Sequence, residues 1–194
     1  MRRLAVIAIA LALWAAAAWT FDLRQVTGAE MSPSLQPGDW VLIGPGAPAA
    51  GDVVRLEDPR EPGRVVLRRV LALAGAEVGS GGGFLRIDGE RTRLREMGRD
   101  DTHVVLSEAN LWLIRHRVRP LRDPDRQVTV PEGQVWLMAD DRDLGVDSRW
   151  WGPVPAAQLD GRVWLRAGSS DLWRGRLSPW GRDGPWLPPS KQPR

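Results

Sequence analysis

Cysteine is absent, lysine occurs once, at Lys191, and histidine only twice, at His103 and His116. Without cysteine there is no disulfide and no thiolate metal site, and the redox compartment is left open. The two histidines sit in "DDTHVV" and "LIRHRV", neither of which has metal-ligand spacing, so no metal or other cofactor is expected. The 27 Lys and Arg residues include that single lysine, which leaves arginine as the basic residue almost everywhere. A net charge of only +3 gives no strong basic patch and argues against a nucleic-acid partner. Also missing, beyond residue 21, is any long and well-capped segment with a 3.6-residue apolar period, so extended helices are not expected there.

What is present begins with a long uncharged run. After Arg2 and Arg3 comes "LAVIAIALALWAAAAWTF", Leu4 to Phe21, which as a helix would extend roughly 27 Å, close to a hydrocarbon core of about 30 Å. The paired arginines before it predict a cytoplasmic N-terminus and an extracytoplasmic remainder, with Trp14 and Trp19 suited to an interface and residues 4–21 in contact with membrane lipid. A cleaved signal peptide is the competing reading, because Ala15 to Ala18 offer small residues at a processing site. The flanks favour an anchor. The remaining length suits one folded domain, as do 43% hydrophobic and 26% charged residues.

Short runs rich in Val, Leu, Ile and Trp then recur between Gly, Pro and Asp clusters: "WVLI" from 40, "DVVRLED" from 52, "RVVLRRVLAL" from 64, "FLRI" from 84, "QVTV" from 127, "QVWLMA" from 134 and "GRVWLRA" from 161. These read as strands, with Asp88-Gly89 as a hairpin turn and "GSGGG" at 79–83 as a flexible turn. "VVLSEANLWLIRHRV" at 104–118 fits a short helix or another strand pair. The expected architecture is therefore mainly β and antiparallel: an anchor over 1–21, a β domain over 22–167, and a Gly, Pro, Trp and Arg-rich tail over 168–194. Trp173 is expected to dock on the domain, and the tail's other tryptophans, Trp180 and Trp186, suit docking or a membrane interface.

Three segments together resemble type I signal peptidases, the membrane-anchored serine endopeptidases that remove signal peptides from exported proteins. "GAEMSPSLQPGD" matches the family's G-x-S-M-x-P-T-L-x-x-G-D at Gly28, Met31, Pro33, Leu35, Gly38 and Asp39. "VVLRRVLALAG" is similar to the lysine-bearing K-R-V-x-x-x-x-G, with Arg69, Val70 and Gly75 in step. "VPEGQVWLMADDRDLGVDSRWWGPVP" matches V-P-x-G, M-G-D-N-R-D, D-S-R and W-G-x-V-P at Asp140, Arg142, Asp143, Asp147, Ser148, Arg149, Trp151, Gly152 and Val154. The resemblance covers residues 1 to about 167. It implies a signal-peptidase-like antiparallel β-sheet domain on the outer face of the bacterial cytoplasmic membrane. Gly28, Met31, Pro33 and Leu35 become candidates for lining a peptide groove, and signal or exported peptides, an active paralogue or another envelope protein become the candidate partners.

The family's chemistry is acyl transfer by a serine that an unprotonated lysine activates. At the serine position stands Glu30, and at the lysine position Arg68, whose guanidinium cannot act as a base. The family serine that orients the lysine corresponds to Gly145, and the Gly and Asn of the third box are Ala139 and Asp141. Ser32 and Ser34 are the nearby hydroxyls, with no lysine in the domain to serve them. Asp140, Arg142, Asp147, Ser148 and Arg149 read as supporting positions, the Asp-Ser-Arg run as scaffold, and Pro33, Gly38 and Gly152 as turn residues. The paired change predicts a partly buried Glu30–Arg68 ion pair filling the dyad site, against the alternative that both side chains point to water. In function, the pattern predicts a pseudoprotease that binds peptides or an envelope partner. Its alternatives are an endopeptidase with an unusual mechanism, such as one using Glu30 with Asp140 or Asp141, and a structural subunit of a membrane complex.

Overall fold

The computed structural model describes residues 20–81, 84–109, 111–118, 124–167 and 178–179. The expected anchor over 4–21, apart from Thr20 and Phe21, lies outside the described residues. So does the expected tail with Trp173, Trp180, Trp186 and Lys191, apart from Ser178 and Pro179. Among the described residues no helix is long and apolar enough to cross a membrane.

Strands are numbered in chain order. The largest sheet has the spatial order β1 (Asp22–Gln25), β2 (Trp40–Gly44), β14 (Leu159–Ala167), β3 (Val53–Glu57), β4 (Val65–Leu73), β12 (Gln134–Met138) and β13 (Val154–Pro155), with β15 (Ser178–Pro179) joined to β14. Every strand pairing within it is antiparallel, from β1–β2 to β12–β13. A second sheet orders β10 (Trp112–Arg117), β9 (His103–Glu108) and β8 (Leu94–Arg99). A third orders β11 (Arg126–Thr129), β5 (Glu77–Gly81), β6 (Phe84–Ile87) and β7 (Glu90–Arg91). The mainly antiparallel β expectation therefore holds for the described domain.

Local chemistry explains the turns. Asp88 and Gly89 both have positive φ, 53° and 78°, and close a two-residue hairpin in which Ile87 pairs with Glu90. The ambiguous stretch at 104–118 falls in the hairpin of β9 and β10, with Trp112 opposite Glu108. The flexible turn expected at 79–83 is corrected at its first three residues, since Gly79, Ser80 and Gly81 belong to β5, while Gly82 and Gly83 lie outside the described residues. Gly79 and Ser80 are paired on one side with Arg86 and Leu85 of β6 and on the other with Gln127 and Arg126 of β11, so ladders on both edges fix the backbone there.

Burial follows from how the strands are covered. In the run "VVLRRVLAL" both faces of β4 are packed, so apolar residues occupy consecutive positions rather than alternate ones. Val66 and Val70 join one core cluster with Val54, Leu56, Val135, Leu137 and Val154, against which Trp151 packs. Leu67 packs on a second cluster that includes Val26, Met31, Leu35, Val41 and Val163. With a side-chain period of two, Arg68 shares the face of Val66 and Val70, and Arg69 points the other way. Two successive arginines are thereby buried on opposite faces of one strand, with 1% and 2% of their surfaces exposed.

Candidate peptide groove and its floor

A groove of about 610 Å³ lies between the edge strand β1, the loop that follows it, and the start of β4. Gly28, Glu30 and Met31 line it from the loop, Val41 and Ile43 from β2, and Arg64 to Leu67 from the other wall. Of the four groove candidates from the sequence, Gly28 and Met31 are in the lining, and Pro33 and Leu35 are not. Leu35 is fully buried in the core cluster with Met31, because its backbone N–H bonds to Met31 O at 2.8 Å and turns the chain inward.

Glu30 is held from two directions. Its carbonyl accepts from the Asp141 N–H at 2.8 Å, which ties the loop to the segment after β12. Its carboxylate Oε1 accepts from Arg64 Nη2 at 2.7 Å, and both side chains are partly exposed, 21% for Glu30 and 43% for Arg64. Arg64 also donates to Glu61 at 2.9 Å. The space over Gly28 is taken by the same carboxylate, since a Cβ on Gly28 would stand 2.0 Å from Glu30 Oε2.

The expected Glu30–Arg68 ion pair is a correction. Glu30 pairs with Arg64, and Arg68 Nε instead donates to Val146 O at 2.9 Å and Nη1 to Leu67 O at 2.6 Å. The guanidinium lies 5.6 Å from the centroid of the Trp151 ring, a cation–π arrangement. Among the described residues Arg68 makes no ion pair. The alternative of two water-facing side chains fails as well, because Arg68 is buried. The reason lies on the strand: on the face of Val66 and Val70 the side chain is directed to the turn after β12, where carbonyl oxygens are the nearest acceptors. Burial lowers the pKa of the Arg68 guanidinium, while the charges of Asp147, Glu30 and Asp58 oppose that shift.

That turn is built by the third box. Asp147 caps the single-turn helix α1 (Ser148–Trp151), accepting from the Arg149 N–H at 3.1 Å. Its carboxylate also receives the Ala139 N–H at 2.9 Å and two guanidinium contacts from Arg149, at 2.9 and 2.8 Å. Ser148 Oγ accepts from the Leu137 N–H, and Arg149 reaches the carbonyls of Arg142 and Gly145. All three side chains are at most 1% exposed, so Asp147, Ser148 and Arg149 spend their polar atoms on holding the turn. Gly38 and Gly152 have φ of 94° and 82°, conformations that suit glycine at turns.

The carboxylates weighed as substitutes for a serine are engaged elsewhere. Asp140 forms a buried bidentate pair with Arg69, at 2.8 and 2.5 Å, and Arg69 Nη2 also reaches Ser34 Oγ at 3.3 Å. Asp141 pairs with Arg115 through Nε at 2.6 Å. Arg142 is bonded to Glu108. Ser34 donates to Leu113 O at 3.0 Å, and Ser32 is buried with 1% exposure. Neither hydroxyl lines the groove.

Gly145 is the position where packing speaks most directly. A Cβ built there would lie 2.0 Å from Ala139 Cβ and 3.2 Å from Asp141 O. The resemblance puts a serine at position 145 and a glycine at 139, whereas here the Cβ stands on residue 139, and the two positions compete for one space. The sequence shows both departures but gives no sign that they are neighbours. Arg64 likewise carries no sign in the sequence of its role: 34 residues separate it from Glu30, and the pairing of β3 with β4 carries it to the groove wall.

A profile of the family described as "Signal peptidase, peptidase S26" matches residues 1–167. Signal peptidase I of Pseudomonas aeruginosa is 28% identical over 180 residues, an alignment covering 73% of this chain and 63% of that relative. The chain therefore spans less than two thirds of that relative's length. The mitochondrial ATP-independent inner membrane protease subunit 1a of Arabidopsis thaliana is 28% identical over 154 residues, covering 76% of this chain and 71% of the relative. Among solved structures, a signal peptidase I from Enterococcus faecalis V583 is 22% identical, with a TM-score of 0.40, and covers 60% of this chain and 97% of that one.

Proposed function

The chain belongs to the signal peptidase family, peptidase S26, and from that premise we propose that it is a non-proteolytic, membrane-anchored member that binds extended peptides at the outer face of a bacterial cytoplasmic membrane. The observation that carries the reading is Arg68. A base must offer a lone pair, and the guanidinium has none to offer at neutral pH. Its Nε and one Nη, moreover, already donate to the carbonyls of Val146 and Leu67. Glu30 adds a negative charge where acyl transfer would need an oxyanion to develop.

The groove retains what peptide binding requires. β1 is an edge strand, paired only with β2 among the described residues, and an extended peptide can add to such an edge through backbone hydrogen bonds. The apolar side chains of Val26, Met31, Val65 and Val66 line the same space. Signal or exported peptides are the ligands suggested by the relatives, and residues 4–21 supply an anchor that keeps the groove near the lipid.

The test is a cleavage assay with a signal-peptide substrate, using the full chain in detergent beside a revertant carrying Glu30→Ser, Arg68→Lys, Ala139→Gly and Gly145→Ser. The Ala139 change is required because residue 145 has no room for a side chain without it. No cleavage by the unaltered protein, with peptide retained by the groove, is the expected result. Cleavage by the unaltered protein overturns the proposal. Absence of both cleavage and peptide binding favours a structural subunit.

A further inference from the structure

We propose that the groove recognises a peptide by its free C-terminal carboxylate, which replaces the Glu30 carboxylate on Arg64. The inference rests on the peptide-binding reading and deepens it by naming the ligand's end group.

The argument starts from charge. At the groove wall Arg64 presents a guanidinium whose Nη2 is occupied by Glu30 and whose Nη1 is occupied by Glu61. Both bonds are internal, and all three side chains are partly exposed, with Glu61 at 63%. Bridges of this kind have small net worth, because water screens them and long side chains lose entropy in making them. An incoming carboxylate can displace one at little cost. Glu30 is the natural one to leave, since it lines the groove and its side chain lies over Gly28, where only a glycine leaves it space.

Arg68 gives the exchange its direction. It is a second cation, buried on β4 beside the groove-lining Val66 and within electrostatic reach of Glu30 and Arg64, and among the described residues it has no ion-pair partner. When Glu30 swings away, Arg64 and Arg68 leave that end of the groove positive, which disfavours a peptide ammonium and favours a carboxylate. Val65, Val66 and Leu67 continue the wall next to Arg64 and can take the apolar residues that precede the chain end. Glu30 then works as a resident stand-in for the ligand's carboxylate, and the groove is kept neutral until a peptide end arrives. The matching ligand class is the amino-terminal product of an endopeptidase reaction, because hydrolysis of a peptide bond creates a new carboxylate at that end.

Isothermal titration of the full chain in detergent can decide this, with an N-acetylated apolar hexapeptide as the free acid and as its C-terminal amide. Charge-assisted hydrogen bonding to Arg64 predicts that the acid binds about tenfold tighter than the amide. Arg64→Gln brings the two to the same affinity, and Glu30→Ala widens the preference for the acid over the amide several-fold. The opposite signs of these two variants exclude a general loss of folding as the cause. Equal binding of acid and amide to the unaltered protein overturns the carboxylate inference and leaves peptide binding intact. A third peptide, the amide with its N-terminus left free, completes the set, and its binding more tightly than the acid overturns the inference in favour of Glu30 as the reader. Failure of every peptide to bind overturns the peptide-binding reading and this inference with it.

Discussion

Replacing Gly145 with serine restores the residue type that the family resemblance assigns to that position, and the structure predicts that it fails on its own. The new Cβ would stand 2.0 Å from Ala139 Cβ, where apolar carbon atoms prefer about 3.5–4.0 Å. Ala139 is fully buried and has no flexible end to swing aside, so relief must come from the backbone. Asp141 O, at 3.2 Å from the same Cβ, resists motion in the other direction. Overpacking typically costs 1–3 kcal/mol, and with two fixed neighbours we expect about 3 kcal/mol for Gly145→Ser. For a domain of this size that corresponds to a Tm lower by about 6–12 °C. Adding Ala139→Gly removes the clashing methyl and introduces a glycine penalty of roughly 0.5–1 kcal/mol, so the double variant should lose only about 1 kcal/mol. Thermal unfolding by circular dichroism of the four proteins in a double-mutant cycle measures the coupling, expected at about 3 kcal/mol in favour of the pair. Additive losses, with the double variant melting below both single variants, would refute the reasoning.

In a cycle of Glu30→Ala and Arg68→Ala the losses should add to within about 0.5 kcal/mol, because the two side chains make no direct bond. Arg68→Ala alone should cost about 3 kcal/mol in urea unfolding, since two carbonyls lose donors and the stem leaves a cavity; a coupling above about 1 kcal/mol would restore the ion pair. The pKa of His116 is lowered to about 4, first by burial and then by Arg142, with Asp143 opposing. A histidine whose folded pKa lies below its unfolded value near 6.5 takes up protons on unfolding between those limits, so its contribution is complete above pH 6.5 and is lost as pH falls toward 4. The shift corresponds to roughly 3 kcal/mol, and His116→Asn should flatten the dependence of unfolding free energy on pH across that window. An unchanged slope would show that other groups carry it.

The strands were legible because their chemistry is local. Runs such as "WVLI" and "QVWLMA" lie between turn residues, and Asp88-Gly89 carries its hairpin in two letters. Strands without that contrast were harder: β8, "LREMGR", has no apolar alternation, and β5 contains the glycines that read as a turn. The site was legible in its identities and not in its contacts. Glu30, Arg68 and Gly145 stood out by departing from a pattern, yet which charges meet depends on strand faces and on the β3–β4 hairpin. Two opposite charges at dyad positions suggested each other as partners, and the period of β4 instead sends Arg68 to the carbonyls beside α1 while Arg64 takes Glu30.

The three departures are each stabilised by a different interaction, and this bears on how the site could change. Glu30 is held by an exposed ion pair, Arg68 by hydrogen bonds to main-chain oxygens, and Gly145 by a shortage of space created at Ala139. Exposed ion pairs contribute little, so Glu30 is the easiest of the three to exchange. Arg68 and Gly145 are embedded in packing, and reverting either alone leaves unsatisfied carbonyl acceptors or a clash. On the proposed reading, proteolysis cannot be regained through a single substitution: a serine at position 30 would face an arginine with no lone pair, and a lysine at 68 would lack the hydroxyl that Ala139 keeps out of position 145. The freedom left at the groove is therefore in Glu30 and Arg64, whose mutual bond is weak enough for a ligand to compete with.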